Sequence, residues 1–344
     1  MNPAKTTFGR RELLASVAMA GAAGAVRVAL PSLALLPTAV GRAQDSATRL
    51  VLLGTQGGPN FNVERGESAN AVVVEGETYL VDCGYGTLMA LRRAGLNYRD
   101  LAATFLTHLH DDHSGDIAAL LSHQWSDGRI EPMTVYGPYG TEQMVEAAIA
   151  FSEANTRIRV IDEARSVEPA HIFAGMDLEA TLEPVEVHAD DRVVVSSVEN
   201  THFPESSKRE MPYRSLSYRL DSADRSIAFS GDTAYSENLI ELARGADVLV
   251  CEAMQVVAMR AAFDRMVAGG AYADNAEGVW AHIVGTHTTT EEAGQMAAEA
   301  GVGTLVLSHL VPGALGDLDD EDYIAGVRRH FDGEVIVGRD QMVI

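Results

Sequence analysis

Seven consecutive residues, Thr107-His108-Leu109-His110-Asp111-Asp112-His113, carry three imidazoles and two carboxylates. Imidazole nitrogen and carboxylate oxygen are the donors that a borderline divalent ion such as zinc prefers. Residues 101–106 before them (Leu-Ala-Ala-Thr-Phe-Leu) read as a short buried strand, and residues 117–121 after them (Ile-Ala-Ala-Leu-Leu) as the apolar face of a helix. The cluster therefore lies where a strand hands over to a helix, and several side chains can converge with little backbone movement. The competing reading is a polar loop that happens to be rich in histidine. At these residue frequencies His-x-His-x-Asp-His arises by accident in roughly one chain in a thousand.

One such cluster accounts for one ion, and four later positions extend the set. Each is an apolar run that stops at a metal-competent residue. Residues 193–201 stop at His202, residues 226–231 at Asp232, residues 246–251 at Glu252 and residues 304–308 at His309. Polar residues at the ends of buried strands, gathered on one edge, are how an α/β scaffold commonly builds a site. Each position alone reads as well as a capped, satisfied residue. Together they supply six or seven ligands, enough for two ions.

This series resembles the metallo-β-lactamase superfamily of two-metal hydrolases, and within it the ribonuclease Z and arylsulfatase-like branch. The likeness runs from about Arg49 to the C-terminus through Leu53-Gly-Thr55, Leu80-Val-Asp-Cys-Gly84, Phe105 to His113, Phe229-Ser-Gly-Asp-Thr233 and Leu307-Ser-His309. Branch-level similarity rests on His287-Thr-Thr-Thr-Glu-Glu-Ala293 and on Glu252 in Val250-Cys-Glu-Ala253. The resemblance implies an α/β fold, the αβ/βα sandwich of two mixed sheets flanked by helices. It implies that His108, His110 and His202 bind one divalent ion, that Asp112, His113 and His309 bind a second, and that Asp232 bridges them. Zinc is the default ion, and manganese or iron suit the same donors. Two ions about 3.5–4 Å apart repel, and a shared carboxylate offsets the repulsion while leaving a bridging position for an acidified water, the nucleophile. Asp112 then has a second task in orienting that nucleophile. Asp82 stands where the family often places a carboxylate that fixes a ligand imidazole, although a strand-end Asp capping a turn explains it equally well.

Thr289 and Glu292 form a capping box, so a helix should begin there and leave His287 on the preceding loop. From that loop His287 can protonate a leaving oxygen, with Glu252 orienting it and raising its basicity. His123, His171, His188, His282 and His330 lack such context and read as surface or packing residues, with His282 set apart by its closeness to His287 in sequence.

The first 43 residues read as a twin-arginine export signal. Arg10-Arg11 precede a mildly apolar Ala/Gly-rich run, and Gly41-Arg42-Ala43 offers small residues for cleavage after Ala43. Arg27, Pro31 and Pro37 interrupt that run well short of the roughly 18–20 apolar residues a membrane span needs, so no stable anchor is expected. The remainder, residues 44–344, reads as one hydrolase domain in the periplasm or outside the cell. It carries no linker, charge block or repeat that would divide it.

Charge narrows the partners. The chain holds 26 basic and 49 acidic residues, a net of −23, and loss of the five basic and one acidic residue of positions 1–43 leaves −27 with Lys208 the one lysine. A protein that neutralises many phosphates needs a basic surface, so a long nucleic acid is not an expected partner. The stretch between His113 and His202 also lacks the Gly-, Pro- and Lys-rich arm with which ribonuclease Z holds tRNA. The expected partners are a small-molecule ester and the twin-arginine export machinery, and oligomeric state stays open, a homodimer included. The expected reaction is hydrolysis of a phosphodiester or aryl sulfate, with a carboxylic ester or lactone as the alternative. A β-lactamase would not normally place a bridging carboxylate at Asp232, and a binding module would not need the full ligand set.

Three features leave two readings each. Cys83 and Cys251 read as buried free thiols or as a disulfide. Residues 54–58 (Gly-Thr-Gln-Gly-Gly) lack the Lys-Ser/Thr of a phosphate loop and read as a turn. Met259 to Met266, with Gly269, Gly270, Tyr272 and Trp280, reads as a hinged lid with an apolar lining or as an amphipathic helix followed by a surface loop.

Overall fold

Period-two alternation sorts the side chains of the central strands onto two buried faces, while the edge strands other than the first are largely exposed. In the computed structural model, which describes residues 47–344 apart from 59, 61 and 317, this builds two sheets packed face to face. The first sheet runs β1 (Thr48–Gly54), β2 (Ala69–Val74), β3 (Glu77–Val81), β4 (Ala103–Phe105), β5 (Met133–Gly137) and β6 (Phe173–Asp177) in spatial order. The second contains β7 (Val185–Ala189), β8 (Val193–Glu199), β9 (Leu216–Ser222), β10 (Ser226–Phe229), β11 (Val248–Met254), β12 (Thr304–Val311) and β13 (Glu334–Val337), again in sequential order. Each sheet starts as an antiparallel meander and continues with parallel strands. The parallel pairings require crossovers, and helices supply them.

Those helices are α1 (Thr87–Arg93), α2 (Asp111–Ser114), α3 (Ile117–Ser126), α4 (Thr141–Phe151), α5 (Glu153–Asp162), α7 (Glu237–Leu242), α8 (Val256–Ala268), α9 (Ala276–Thr286), α10 (Thr290–Ala300) and α11 (Asp320–Val327), while α6 (Glu205–Lys208) joins the antiparallel β8 and β9. Leu50, Leu52, Tyr79, Val81 and Phe105 face Val195, Leu220, Phe229, Val250 and Val306 between the sheets. Their strand neighbours point the other way. Val51, Leu53 and Leu80 meet Leu120 and Trp125 of α3, while Leu249, Cys251, Leu305 and Leu307 meet Met296 of α10. The layers are therefore helix, sheet, sheet, helix, the αβ/βα sandwich expected. Fully burying side chains of this size contributes about 1.5–3 kcal/mol each, so the three cores dominate the fold's stability.

Residues 341–344 run beside β1, with Leu50 donating to the Ile344 carbonyl at 2.9 Å and Leu52 to that of Met342 at 3.0 Å. Both cysteines are buried and free. The export signal expected in residues 1–43 lies outside the described residues. Among the described residues no helix is long and apolar enough to cross a membrane.

Candidate metal centre

The seven-residue motif divides its donors between two directions. Between β4 and α2 the chain carries His108 and then His110, the residue before α2, and their ring centroids lie 4.7 Å apart. The turn of α2 then rotates Asp112 and His113 toward a second point. His202 comes from the loop after β8, Asp232 from the loop after β10 and His309 from β12.

Two donor groups result. In one, His110 Nδ1 lies 2.9 Å from His108 Nε2 and 3.4 Å from His202 Nε2. In the other, Asp232 Oδ1 lies 3.1 Å from His113 Nε2 and 3.2 Å from His309 Nε2, which is 3.3 Å from Asp112 Oδ2. The second oxygen of Asp232 is 3.9 Å from His108 Nε2, so this carboxylate faces both groups. Donors bonded at about 2.0–2.1 Å in tetrahedral array stand roughly 3.3–3.4 Å apart, close to the observed edges. His113 Nε2 and Asp232 Oδ1 are moreover buried without a hydrogen-bond partner of acceptable geometry. Orphaned buried donors of this kind need a further occupant. The residues fit two divalent ions.

The polar atoms on the far side of each ring agree with that reading. Asp82 accepts from His113 Nδ1 at 2.8 Å and from Thr107 N at 2.8 Å, which turns His113 Nε2 inward. Of the two readings of Asp82 the ring-orienting one is the geometry found. The Thr286 carbonyl lies 3.1 Å from His202 Nδ1 and does the same for that ring. Glu252 takes Thr233 N at 2.6 Å on one oxygen and His287 Nδ1 at 2.8 Å on the other, linking His287 to the loop that carries Asp232.

Residues 77–310 match the family model described as "Beta-lactamase superfamily domain". The chain belongs to the beta-lactamase superfamily. It is 28% identical over 302 residues to a ribonuclease Z of Mycobacterium bovis (strain BCG / Pasteur 1173P2), covering 85% of this chain and 95% of that protein. A ribonuclease Z of Mycobacterium sp. (strain KMS) is 29% identical over 301 residues, with 85% and 93% covered. The crystal structure of human tRNase Z, short form, superposes with a TM-score of 0.61 at 22% identity, over 86% of this chain and 98% of that one. The chain is a metal-dependent hydrolase, and two divalent ions are typical of its superfamily.

Electrostatics distinguish the two donor groups of this superfamily site. Burial pushes His108 and His202 well below the ordinary histidine range, so the first group is a set of neutral lone pairs. Burial acts on His309 in the same direction, but the Asp232 charge and hydrogen bonds to Asp112 and Glu252 outweigh it and hold the ring up at about 10. His113 is likewise carried well above its ordinary value, against burial, by Asp232, Asp82 and Asp112. Burial would raise Asp112, yet His113 and His309 bring it down to about 2. The metal-free second group is thus an ion-pair network.

Because the folded pKa of His309 exceeds the unfolded value, its ion pairs stabilise the metal-free protein fully below about pH 6.5, and this stabilisation is lost as pH rises toward 10. A metal must displace those protons. Affinity for one ion should therefore rise about tenfold per pH unit for each proton displaced, while affinity for the other stays nearly flat above pH 7. Calorimetric titration of zinc into metal-free protein, in buffers of different ionisation heat, reads the protons directly. Two pH-independent sites would refute the assignment of protons. Asp82→Ala should separately weaken metal binding by about 10–100-fold, because His113 loses the group that aims it. Competition with a chelator measures this, and unchanged affinity would remove Asp82 from that role.

Several placements differ from the sequence reading. Glu252 and His309 do not end their strands but lie within β11 and β12. Glu252 pairs with Ser308 and Ala253 with Leu310, which leaves His309 as the extra residue of a bulge with φ 43°. A bulge re-aims one side chain without ending the ladder, and that swings His309 into the site. Asp82 also sits at positive φ, 63°. Such strain costs on the order of 1–3 kcal/mol each and persists where surrounding bonds over-determine the position.

Residues 54–58, read as a turn, instead leave β1 through a bridge of Gln56 to Glu67 and Leu310, and they reach the site as well. Gly58 N donates to Asp112 Oδ2 at 3.0 Å, and a Cβ on Gly57 would come within 2.6 Å of His309 Nδ1. His282 is the main correction. It is exposed on α9 but stands beside the donor groups, its ring centroid 5.4 Å from His202. Periodicity could not reveal this, since only the packing of α9 brings it there. Phe263 stacks on Tyr272 at 5.7 Å and meets Trp280 at 5.4 Å, so these aromatics form the small core of an α8–α9 hairpin.

Proposed function

We propose that this protein is an exported two-metal hydrolase of small phosphodiesters. The observation that carries the reading is the Glu252–His287 pair, whose imidazole Nδ1 is 2.8 Å from Glu252 and 3.8 Å from Asp232. With Nδ1 tied to Glu252 and standing near the shared carboxylate, a protonated His287 keeps Nε2–H free to donate. Burial lowers the basicity of this ring, but Glu252 and then Asp232 outweigh it and leave the pKa raised. That is a proton donor suited to an alkoxide leaving group.

His108, His110 and His202 would hold one ion, Asp112, His113 and His309 the other, with Asp232 facing both. Zinc is the ion assigned, with manganese or iron accepted by the same donors. The ions supply Lewis-acid charge against the developing oxyanion, together with an acidified water. Asp112 is held in place by Gly58 N and can orient the nucleophile with its second oxygen. The ribonuclease Z relatives support phosphodiester chemistry. The net charge of −23 supports a small substrate over a long polyanion. Export rests on Arg10-Arg11 and the cleavage site after Ala43.

A panel on zinc-loaded mature protein tests this. An aryl phosphodiester should be cleaved faster than an aryl sulfate, a lactone, a phosphomonoester or a cephalosporin, and precursor tRNA should be neither bound nor cut at physiological salt. Preference for the lactone would transfer the chemistry to carbon. Efficient tRNA processing would overturn the inference from charge.

A further inference from the structure

His282 is outside the two donor groups described above, yet a donor atom of its exposed ring lies within 4.8 Å of donor atoms of His202 and His287. Its ring centroid is 5.4 Å from His202, 5.7 Å from His287 and 6.3 Å from His110. It therefore stands beside both the residues that hold the first ion and the proton donor, and it stays exposed to an incoming ligand. It is also held firmly. α9 packs through Trp280 onto Phe263 of α8, so the imidazole rides on a cored hairpin.

Thr286 decides which nitrogen of His282 carries hydrogen. Its hydroxyl donates to the His282 carbonyl at 2.8 Å, the bond back to the preceding turn that helical Thr commonly makes. That uses the one hydroxyl hydrogen. The same oxygen lies 3.2 Å from His282 Nδ1 and can only accept there, so Nδ1 is the protonated nitrogen. Nε2 is left as a bare lone pair. Thr286 thereby sets two rings at once, since its carbonyl faces His202 Nδ1. A neutral imidazole with a free Nε2 accepts a hydrogen bond and has none to give to a phosphoryl oxygen.

We propose that His282 contacts substrate and selects phosphodiesters with a hydroxyl or N–H donor next to the scissile bond. This rests on the phosphodiester reading above. One hydrogen bond at an accessible position is worth roughly tenfold in discrimination.

The test pairs two alkyl phosphodiesters that differ only in a 2-hydroxyethyl or a 2-methoxyethyl leaving arm. Zinc-loaded wild type should show a KM about tenfold lower for the hydroxyethyl ester. His282→Ala should raise that KM to the methoxyethyl value, with zinc content unchanged. His282→Gln should recover part of the preference through its amide oxygen. Nitrogen-15 spectra of the zinc protein should show Nδ1 protonated and Nε2 bare. The Nε2 signal should move on binding a non-hydrolysable 2-hydroxyethyl phosphonate and not its methoxy analogue. Equal KM values in wild type, a protonated Nε2, or loss of zinc from His282→Ala would overturn the proposal. If wild type cleaves neither ester the phosphodiester reading fails, and the nitrogen-15 shift still decides whether His282 contacts such a ligand.

Discussion

Asp232→Asn should reduce bound metal from two ions per chain to fewer than one and lower kcat/KM by roughly 10³-fold or more, the several kcal/mol expected when two-metal charge stabilisation is lost. The substitution preserves shape and removes charge. That matters because Asp232 is buried, with one oxygen 3.1 Å from His113 and 3.2 Å from His309 and the other 3.9 Å from His108. No other carboxylate among the described residues faces both donor groups in this way. His113 and His309 would also lose the charge that opposes burial most strongly, so both rings should titrate at lower pH in the metal-free variant. Elemental analysis with an activity assay reads the first effect. One tightly held ion in fully active wild type would end the dinuclear assignment.

His287→Ala separates proton donation from metal binding. If His287 protonates the leaving oxygen, the loss depends on how badly that oxygen leaves. Alkyl phosphodiesters should slow by roughly 10²–10⁴-fold, the usual range for general acid catalysis. Nitrophenyl esters should slow far less, since nitrophenolate departs without help, and metal content should not change. The measurement is the mutant-to-wild-type rate ratio across leaving groups of rising pKa. A flat series would remove His287 from proton donation, and loss of an ion would make it a ligand. Glu252→Gln should reproduce a weaker form of the same slope, because it leaves the imidazole in place but removes the charge 2.8 Å from Nδ1.

The two substitutions are informative together because both residues touch one another's surroundings. Asp232 lies 3.8 Å from His287 Nδ1, and Glu252 joins the two through Thr233 N and His287. A double variant that falls by less than the product of the single effects would show that they act as a unit.

The chain's own order of residues was enough for the donor types, the spacing of the seven-residue motif and the helix start at Thr289, while the layered sandwich was implied by the family resemblance. The first three depend on local geometry. A capping box, for example, satisfies its own backbone. Tertiary structure decided the rest. Whether His309 ends a strand or occupies a bulge depends on its register with β11, a partner more than fifty residues earlier in the chain. Whether Asp82 caps a turn or aims a ring depends on where His113 comes to rest, 31 positions later. His282 is set apart in the sequence only by its closeness to His287, and its place beside His202 is decided by the packing of α9. Residues 54–58 read as a turn, whereas Gly54 ends β1 and Gln56 bridges to Glu67 and Leu310, and the close approach of β1's end to β12 and α2 makes this stretch part of the site. In each case the deciding contact joins segments far apart in sequence, and no local pattern of residue types encodes the register or angle at which such segments meet.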